Sequence, residues 1–233
     1  MNNKNLEIRH MNLQEKVYRR IIESILNGTF GAGTRLVCND IAEQFKVSQT
    51  PVREALLRLE KEGFVYSVPR SGTYVNRFTS EEIREIYNIR EVLEGLVARM
   101  AAASPNPDLL EKMRNVCEKY KLGIEQKDVN LCVQSDLAFH RILVEASGSK
   151  RLMNILESFH IQSISIKKRG VRYWFYAPVY LDEHRGILDV ISQGKGQLAE
   201  KKIREHIRKG KERVLEQFYP QNRATESLKV LEN

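Results

Sequence analysis

Asp136 and His140 lie four residues apart, a spacing that sets a carboxylate and an imidazole side by side on one helical face, bordered by Val133, Leu137 and Leu143. His184 falls in the apolar stripe completed by Ile187, Leu188 and Ile191, and His206 in the stripe of Ala199, Ile203, Ile207 and Val214. A charge or imidazole turned into an apolar interior needs a partner. Three imidazoles and one carboxylate from three helices suit Zn²⁺, Ni²⁺ or a similar first-row divalent ion, with positions left open for water or a ligand. Spacing alone leaves a second reading, in which these are core histidines satisfied by hydrogen bonds. Arg90 and Glu94 share a stripe with Ile83, Ile86, Tyr87, Leu93 and Val97. They read either as an i, i+4 ion pair or as an inward Arg90 that forks onto a ligand carboxylate. His160, beside the stripe of Leu152, Ile155 and Phe159, reads as a hydrogen-bonded histidine at the core edge, and His10 as a surface residue.

A second constellation suits a polyanion. In the stretch Val47-Ser48-Gln49-Thr50-Pro51-Val52-Arg53-Glu54-Ala55-Leu56-Leu57-Arg58-Leu59, residues Val52, Ala55, Leu56 and Leu59 make one buried stripe. Gln49, Arg53 and Arg58 lie off it. Ser48 stands where a helix is capped, and Pro51 is tolerated in the first turn. A short helix over Asp40–Phe45 precedes this one across a tight turn, with Ile41, Ala42 and Phe45 inward. A hairpin pattern follows, Val65–Val68 and Thr73–Val75 around Pro69-Arg70-Ser71-Gly72. Helix, turn, helix and a two-stranded wing describe a winged helix-turn-helix, whose second helix enters the major groove of DNA.

The elements that must position these groups are mostly helical. A first helix is expected over Leu13–Asn27, where Val17, Ile21 and Ile25 repeat, closed by Gly28, Gly31 and Gly33. After Arg77, Thr79 and Glu82 form a capping box that starts a new helix with almost no linker. Helices then run over Glu81–Ala103, Pro107–Glu125, Val129–Ala146, Lys150–Lys167, Val179–Ser192 and Gly196–Gln217. Breaks are expected at Ser104–Pro107, Ser147–Ser149, Gly170 and Gln193–Gly196. The aromatic segment Val171–Tyr180 extends a helix or forms a loop. The fold class is mainly α: a winged helix-turn-helix domain (1–78), an antiparallel all-helical bundle (79–220) and a polar tail (221–233).

From about Leu13 to Arg77 the chain resembles the GntR family of bacterial transcriptional regulators. The resemblance lies in Leu26-Asn27-Gly28, Gly33-Thr34-Arg35-Leu36, the Val47–Leu56 stretch, Gly63-Phe64-Val65 and Gly72-Thr73-Tyr74-Val75. Two positions depart from the family pattern: Gln49 stands where Arg is usual, and Ala32 where Pro is usual. The first bears on the operator sequence, because Gln reads adenine by a bidentate pair where Arg prefers guanine. The candidate DNA-facing residues are Arg35, Asn39, Ser48, Gln49, Thr50, Arg53, Arg70 and Gly72. From about Thr79 to Phe218 the chain resembles, more loosely, the FCD ligand-sensing domain that follows many such wings. Its pattern is matched by Asp136-Leu137-Ala138-Phe139-His140, by His184-Arg185-Gly186-Ile187 and by His206-Ile207. The resemblance implies that Asp136, His140, His184 and His206 bind a divalent metal that helps hold a small organic acid, and makes Arg90 a candidate effector contact.

Composition fits this reading. Met1–Arg77 carries 12 Lys/Arg against 8 Asp/Glu, and the remainder 26 against 22, so each part is +4 but the first is half as long. Such a charge favours a polyanionic partner without identifying one. Cys38, Cys117 and Cys132, odd in number and without a CxxC pair, suit reduced thiols in a cytoplasmic protein. No apolar run reaches the length of a membrane span, and Met1–His10 has no signal-peptide core. The expected molecule is a homodimeric repressor that binds a palindromic DNA operator under control of a small carboxylate. The alternative is a metal-dependent, hydrolase-type enzyme whose His/Asp site activates water, disfavoured because no separate general base or nucleophile stands out. A third reading is a purely structural metal in an architectural DNA-binding protein.

Overall fold

A computed structural model describes residues 13–168 and 173–218. His10, the break at Gly170 and the tail over 221–233 lie outside the described residues. The chain divides into two compact units between Arg77 and Phe78, one residue before the limit expected from sequence.

In the first unit, α1 (Leu13–Leu26), α2 (Cys38–Phe45) and α3 (Gln49–Lys61) pack around Ile21, Val52 and Leu59, all fully buried. Each such side chain contributes about 1.5–3 kcal/mol of burial. Phe45 is only half-buried and lies under the Arg20 guanidinium. Strands β2 (Val65–Val68) and β3 (Gly72–Val75) pair antiparallel, with Val65 opposite Val75 and Val68 opposite Gly72. A further strand, β1 (Arg35–Leu36), pairs with β3 on its other side, giving the order β1-β3-β2. Two residues are too short to display an alternating pattern, which is why sequence periodicity did not reveal β1.

In the second unit, α4 (Ser80–Ala103), α5 (Pro107–Glu125), α6 (Val129–Ala146), α7 (Lys150–Lys168), α8 (Tyr173–Ser192) and α9 (Gly196–Phe218) form an all-helical domain. The helices start where the sequence supplies caps. Thr79 and Glu82 complete the capping box on α4, Asn106 accepts from Asp108 and Leu109 at α5 with Pro107 in its first turn, and Asp128 accepts from Leu131 at α6. Helix α4 packs most extensively against α9, and α5 against α6, while α7 lies on α4 and α6.

Of the two alternatives for the aromatic segment the helical one is realised, and the inward stripe of α7 needs correction. The aromatic segment is helical from Tyr173 onward. Pro178 is accommodated inside α8, where Ala177, Tyr180 and Leu181 turn inward and Phe175 outward. In α7 the inward stripe is not Leu152, Ile155 and Phe159, since Ile155 is exposed. It is Leu156, His160, Ser163 and Lys167, and every residue from Ile161 to Lys167 is buried. A helix segment enclosed on all sides has no polar face to set its phase, so apolar periodicity misplaces it.

Candidate nucleic-acid interface and metal centre

Helix α3 buries Val52, Ala55, Leu56 and Leu59 and leaves Gln49, Thr50 and Arg53 exposed. Ser48 occupies the cap position with extended backbone, φ −71° and ψ 164°, but its side chain makes no capping bond. The reason lies three residues on. Pro51 stands at the third helical position, where a cap hydroxyl usually finds its N–H donor, and proline has none. The Gln49 side-chain amide instead donates to Asn39 Oδ1 at 3.1 Å, joining two of the expected DNA-facing residues.

Arg35, Arg53 and Gly72 come together around a concavity of about 300 Å³ between α3, β1 and the wing, with Glu60, Ser67 and Thr73. Gly72 has φ +130°, and a Cβ there would stand 2.9 Å from Arg35 Nε, so glycine is what lets this guanidinium cross the wing. Arg70 lies apart, at the wing tip. The turn after Pro69 is closed by Ser71 N donating to Val68 O at 3.0 Å, and Arg70 adopts φ 62°. A left-handed conformation costs a non-glycine residue about 1 kcal/mol, yet it sets a cation at the tip of the hairpin. Arg53 is exposed and makes no ion pair among the described residues. Arg58 behaves differently from expectation. It donates to Glu62 at 2.9 Å and to Glu15 at 2.7 Å, with its guanidinium 3.7 Å from the Tyr18 ring centre, so it ties α3 to α1.

In the helical domain the four residues singled out by spacing meet. Asp136 and His140 from α6, His184 from α8 and His206 from α9 are all buried, and each offers a donor atom within 4.8 Å of the others. Acidic side chains hold two of the rings. His140 Nδ1 lies 2.6 Å from Glu94 Oε2, and His206 Nδ1 lies 2.7 Å from Glu183 Oε2. A carboxylate can only accept, so each neutral ring carries its proton on Nδ1 and turns the lone pair of Nε2 to the centre. Burial lowers the pKa of all three imidazoles, His184 well below its ordinary value and His206 to about 4, which keeps them neutral. Phe139 stacks on the His184 ring with centroids 4.0 Å apart.

Among the described residues, His140 Nε2 and His184 Nε2 are buried with no hydrogen-bond partner. Leaving a buried polar atom unpaired costs roughly 1–3 kcal/mol. Neutral imidazoles fixed by carboxylates, with free Nε2 atoms converging beside a carboxylate, are what a divalent first-row ion requires of its ligands. The residues therefore fit a metal. Sequence reasoning missed the fifth polar group of this centre. Lys167 Nζ donates to both Asp136 oxygens, at 2.9 and 3.1 Å. Burial pushes the Asp136 carboxyl up, but the Lys167 ammonium outweighs it and holds it well below the usual carboxylate range.

A neighbouring cluster lies on the far side of His140. Arg90 Nε donates to Glu94 Oε1 at 2.7 Å and Arg90 Nη1 to Ser163 Oγ at 2.8 Å, so Arg90 points inward and makes an i, i+4 ion pair deep in the core. His160 Nε2 lies 3.1 Å from the same Glu94 oxygen, a satisfied histidine in the interior. Burial favours the neutral Glu94, and Arg90, His140 and His160 together reverse this. Cys117 and Cys132 are buried free thiols, Cys38 a partly exposed one.

Two family models match this chain. Residues 13–75 match bacterial regulatory proteins of the gntR family, and residues 85–209 match the FCD domain. The HTH-type transcriptional regulator YdhC of Bacillus subtilis (strain 168), itself uncharacterized, is 30% identical, with 82% of this chain and 85% of that protein covered. The HTH-type transcriptional repressor RspR of Escherichia coli (strain K12) is 23% identical, with 87% and 89% covered. Among solved structures, E. coli McbR/YncC superposes with a TM-score of 0.79 at 20% identity, covering 89% of this chain and 99% of that one, which shows a common fold.

Proposed function

Because the chain belongs to the gntR family of bacterial regulatory proteins, in the branch that carries an FCD domain, we propose that this DNA-binding transcriptional regulator is a repressor whose grip on its operator is set by a small organic acid held at a metal centre. Membership in a family of DNA-binding regulators sets aside the enzyme reading. The name of RspR as a repressor favours the negative sign of control. The reading assigns a homodimer, since helix-turn-helix dimers read two half-sites of a palindrome. Arg35, Asn39, Ser48, Gln49, Thr50, Arg53, Arg70 and Gly72 are assigned to DNA. A regulator of this kind works in the cytoplasm, and no described helix is long and apolar enough to cross a membrane.

The observation that carries the effector half is the convergence of four ligand atoms within 4.8 Å, with two Nε2 atoms buried and unpaired. Asp136, His140, His184 and His206 would hold Zn²⁺ or Ni²⁺, which when bound supplies a Lewis-acid anchor for a carboxylate. Charge supports an anionic effector. The fixed charges around the centre pair off as Asp136 with Lys167, Glu94 with Arg90 and Glu183 with Arg213, so a divalent cation arrives uncompensated in a buried place. An organic acid provides the missing negative charge. Arg90, already committed to Glu94 and Ser163, is assigned a supporting contact to it. Elemental analysis of the purified protein should find about one first-row metal per chain, lost in the His184→Ala/His206→Ala double variant. Full metal content in that variant would place the ion elsewhere.

A further inference from the structure

We propose that Lys167 is a built-in counter-cation: it holds Asp136 in the metal-free protein and must release it before a divalent ion binds, so this one side chain sets how tightly the centre takes metal. The inference rests on the reading of Asp136, His140, His184 and His206 as a metal centre. Asp136 is the single carboxylate of that donor set, and both of its oxygens are engaged by Lys167 Nζ, at 2.9 and 3.1 Å. The pair is closed off from water, with side chains 4% and 3% exposed, so solvent does not screen the two charges from each other. An ammonium within hydrogen-bond distance of a ligand oxygen competes with a divalent cation for that oxygen, and two cations held so close in a dry interior repel each other strongly. Lys167 has somewhere to go. Its Nζ already lies 4.8 Å from the centre of the Tyr180 ring, whose face offers the displaced ammonium a cation–π partner.

A purely structural salt bridge gives the opposite sign. If Lys167 only positioned Asp136, its removal would loosen a metal ligand and weaken metal binding. If it competes, removal strengthens binding. The test uses the full chain, stripped with a chelator and titrated with Ni²⁺ alone, in competition with a chromophoric chelator. Lys167→Met should bind Ni²⁺ about tenfold tighter than the unaltered protein or more, on the scale of 10–100-fold by which neighbours of metal ligands tune affinity. Lys167→Arg, which keeps the charge, should stay near the unaltered value. The Met variant leaves Asp136 buried without its cation, so the same proteins are melted with and without Ni²⁺. Metal-free Lys167→Met should melt lower, and Ni²⁺ should raise its midpoint by more than it raises that of the unaltered protein. If metal-free Lys167→Met does not fold, Lys167→Gln, which can still donate a neutral hydrogen bond to Asp136, carries the same expected tightening. Equal or weaker Ni²⁺ affinity in the neutral variants overturns this inference alone. Ni²⁺ binding by none of the proteins, the unaltered one included, overturns the metal reading and this inference together.

Discussion

The two arginines of α3 differ in their side-chain commitments. Arg58 spends its guanidinium on Glu15, Glu62 and the Tyr18 ring, whereas Arg53 is exposed beside Arg35 and Gly72. Arg53→Ala should therefore weaken operator binding by roughly 1–3 kcal/mol and leave the thermal midpoint nearly unchanged. Arg58→Ala should lower the midpoint. DNA titrations and thermal melts on both variants check the division, and an Arg53→Ala protein that keeps full affinity would show that the guanidinium does not meet DNA. Gln49 poses a sharper question of specificity. With one amide hydrogen on Asn39, its second hydrogen and its oxygen remain to form the bidentate pair that adenine accepts. Gln49→Arg should move the preferred base at one half-site position toward guanine. Selection of bound sequences from a random pool reads this directly, and an unchanged consensus at every position would exclude base readout by residue 49.

At the scale of elements, the candidate metal centre depends on how closely α5 lets α6 approach, because α6 carries both Asp136 and His140. Gly123 in α5 is a point of close approach. A Cβ there would stand 2.7 Å from Cys132 Sγ and 2.9 Å from the Cys132 backbone nitrogen, and backbone cannot rotate away. Gly123→Ala should cost roughly 1–3 kcal/mol, as overpacking in cores does, seen as a lower midpoint in urea. A midpoint unchanged or raised would mean that the α5–α6 contact yields easily. Helices with one polar face were readable from sequence, since apolar stripes fix their phase and a side-chain cap can mark their start, as at Thr79. Asp136, His140, His184 and His206 could be found because each breaks a stripe. Lys167 could not. It stands near the end of a helix, where lysine ordinarily meets water, and it follows seven buried residues with no stripe to interrupt. Glu183 was equally silent, as an acid next to a histidine that sequence had already explained. Its hold on His206, shared with Arg213, exists only once α8 and α9 are packed.

For the whole molecule the question is how an event at the metal centre reaches the DNA-reading unit. The covalent route is short. The first unit ends at Arg77, and Thr79 already caps α4, leaving Phe78 between them. Helix α4 in turn carries Arg90 and Glu94, and Glu94 grips the Nδ1 of His140, a metal-ligand candidate. From Thr79 to Arg90 the helix rises about 16 Å at 1.5 Å per residue, so along the chain a shift of the Glu94–His140 contact would have to be carried by this helix to reach the junction at Phe78. Allosteric couplings typically amount to about 1–3 kcal/mol, or roughly a 5–150-fold change in affinity. Loading the centre with Ni²⁺ should change affinity for a selected DNA site within that range. A flexible Gly-Ser segment inserted between Arg77 and Thr79 should leave Ni²⁺ binding and metal-free DNA binding intact while removing the difference between them. Fluorescence anisotropy on one labelled duplex, with metal-loaded and chelator-treated protein, measures all three quantities. If the inserted protein still answers to metal, the junction is not the conductor of the signal.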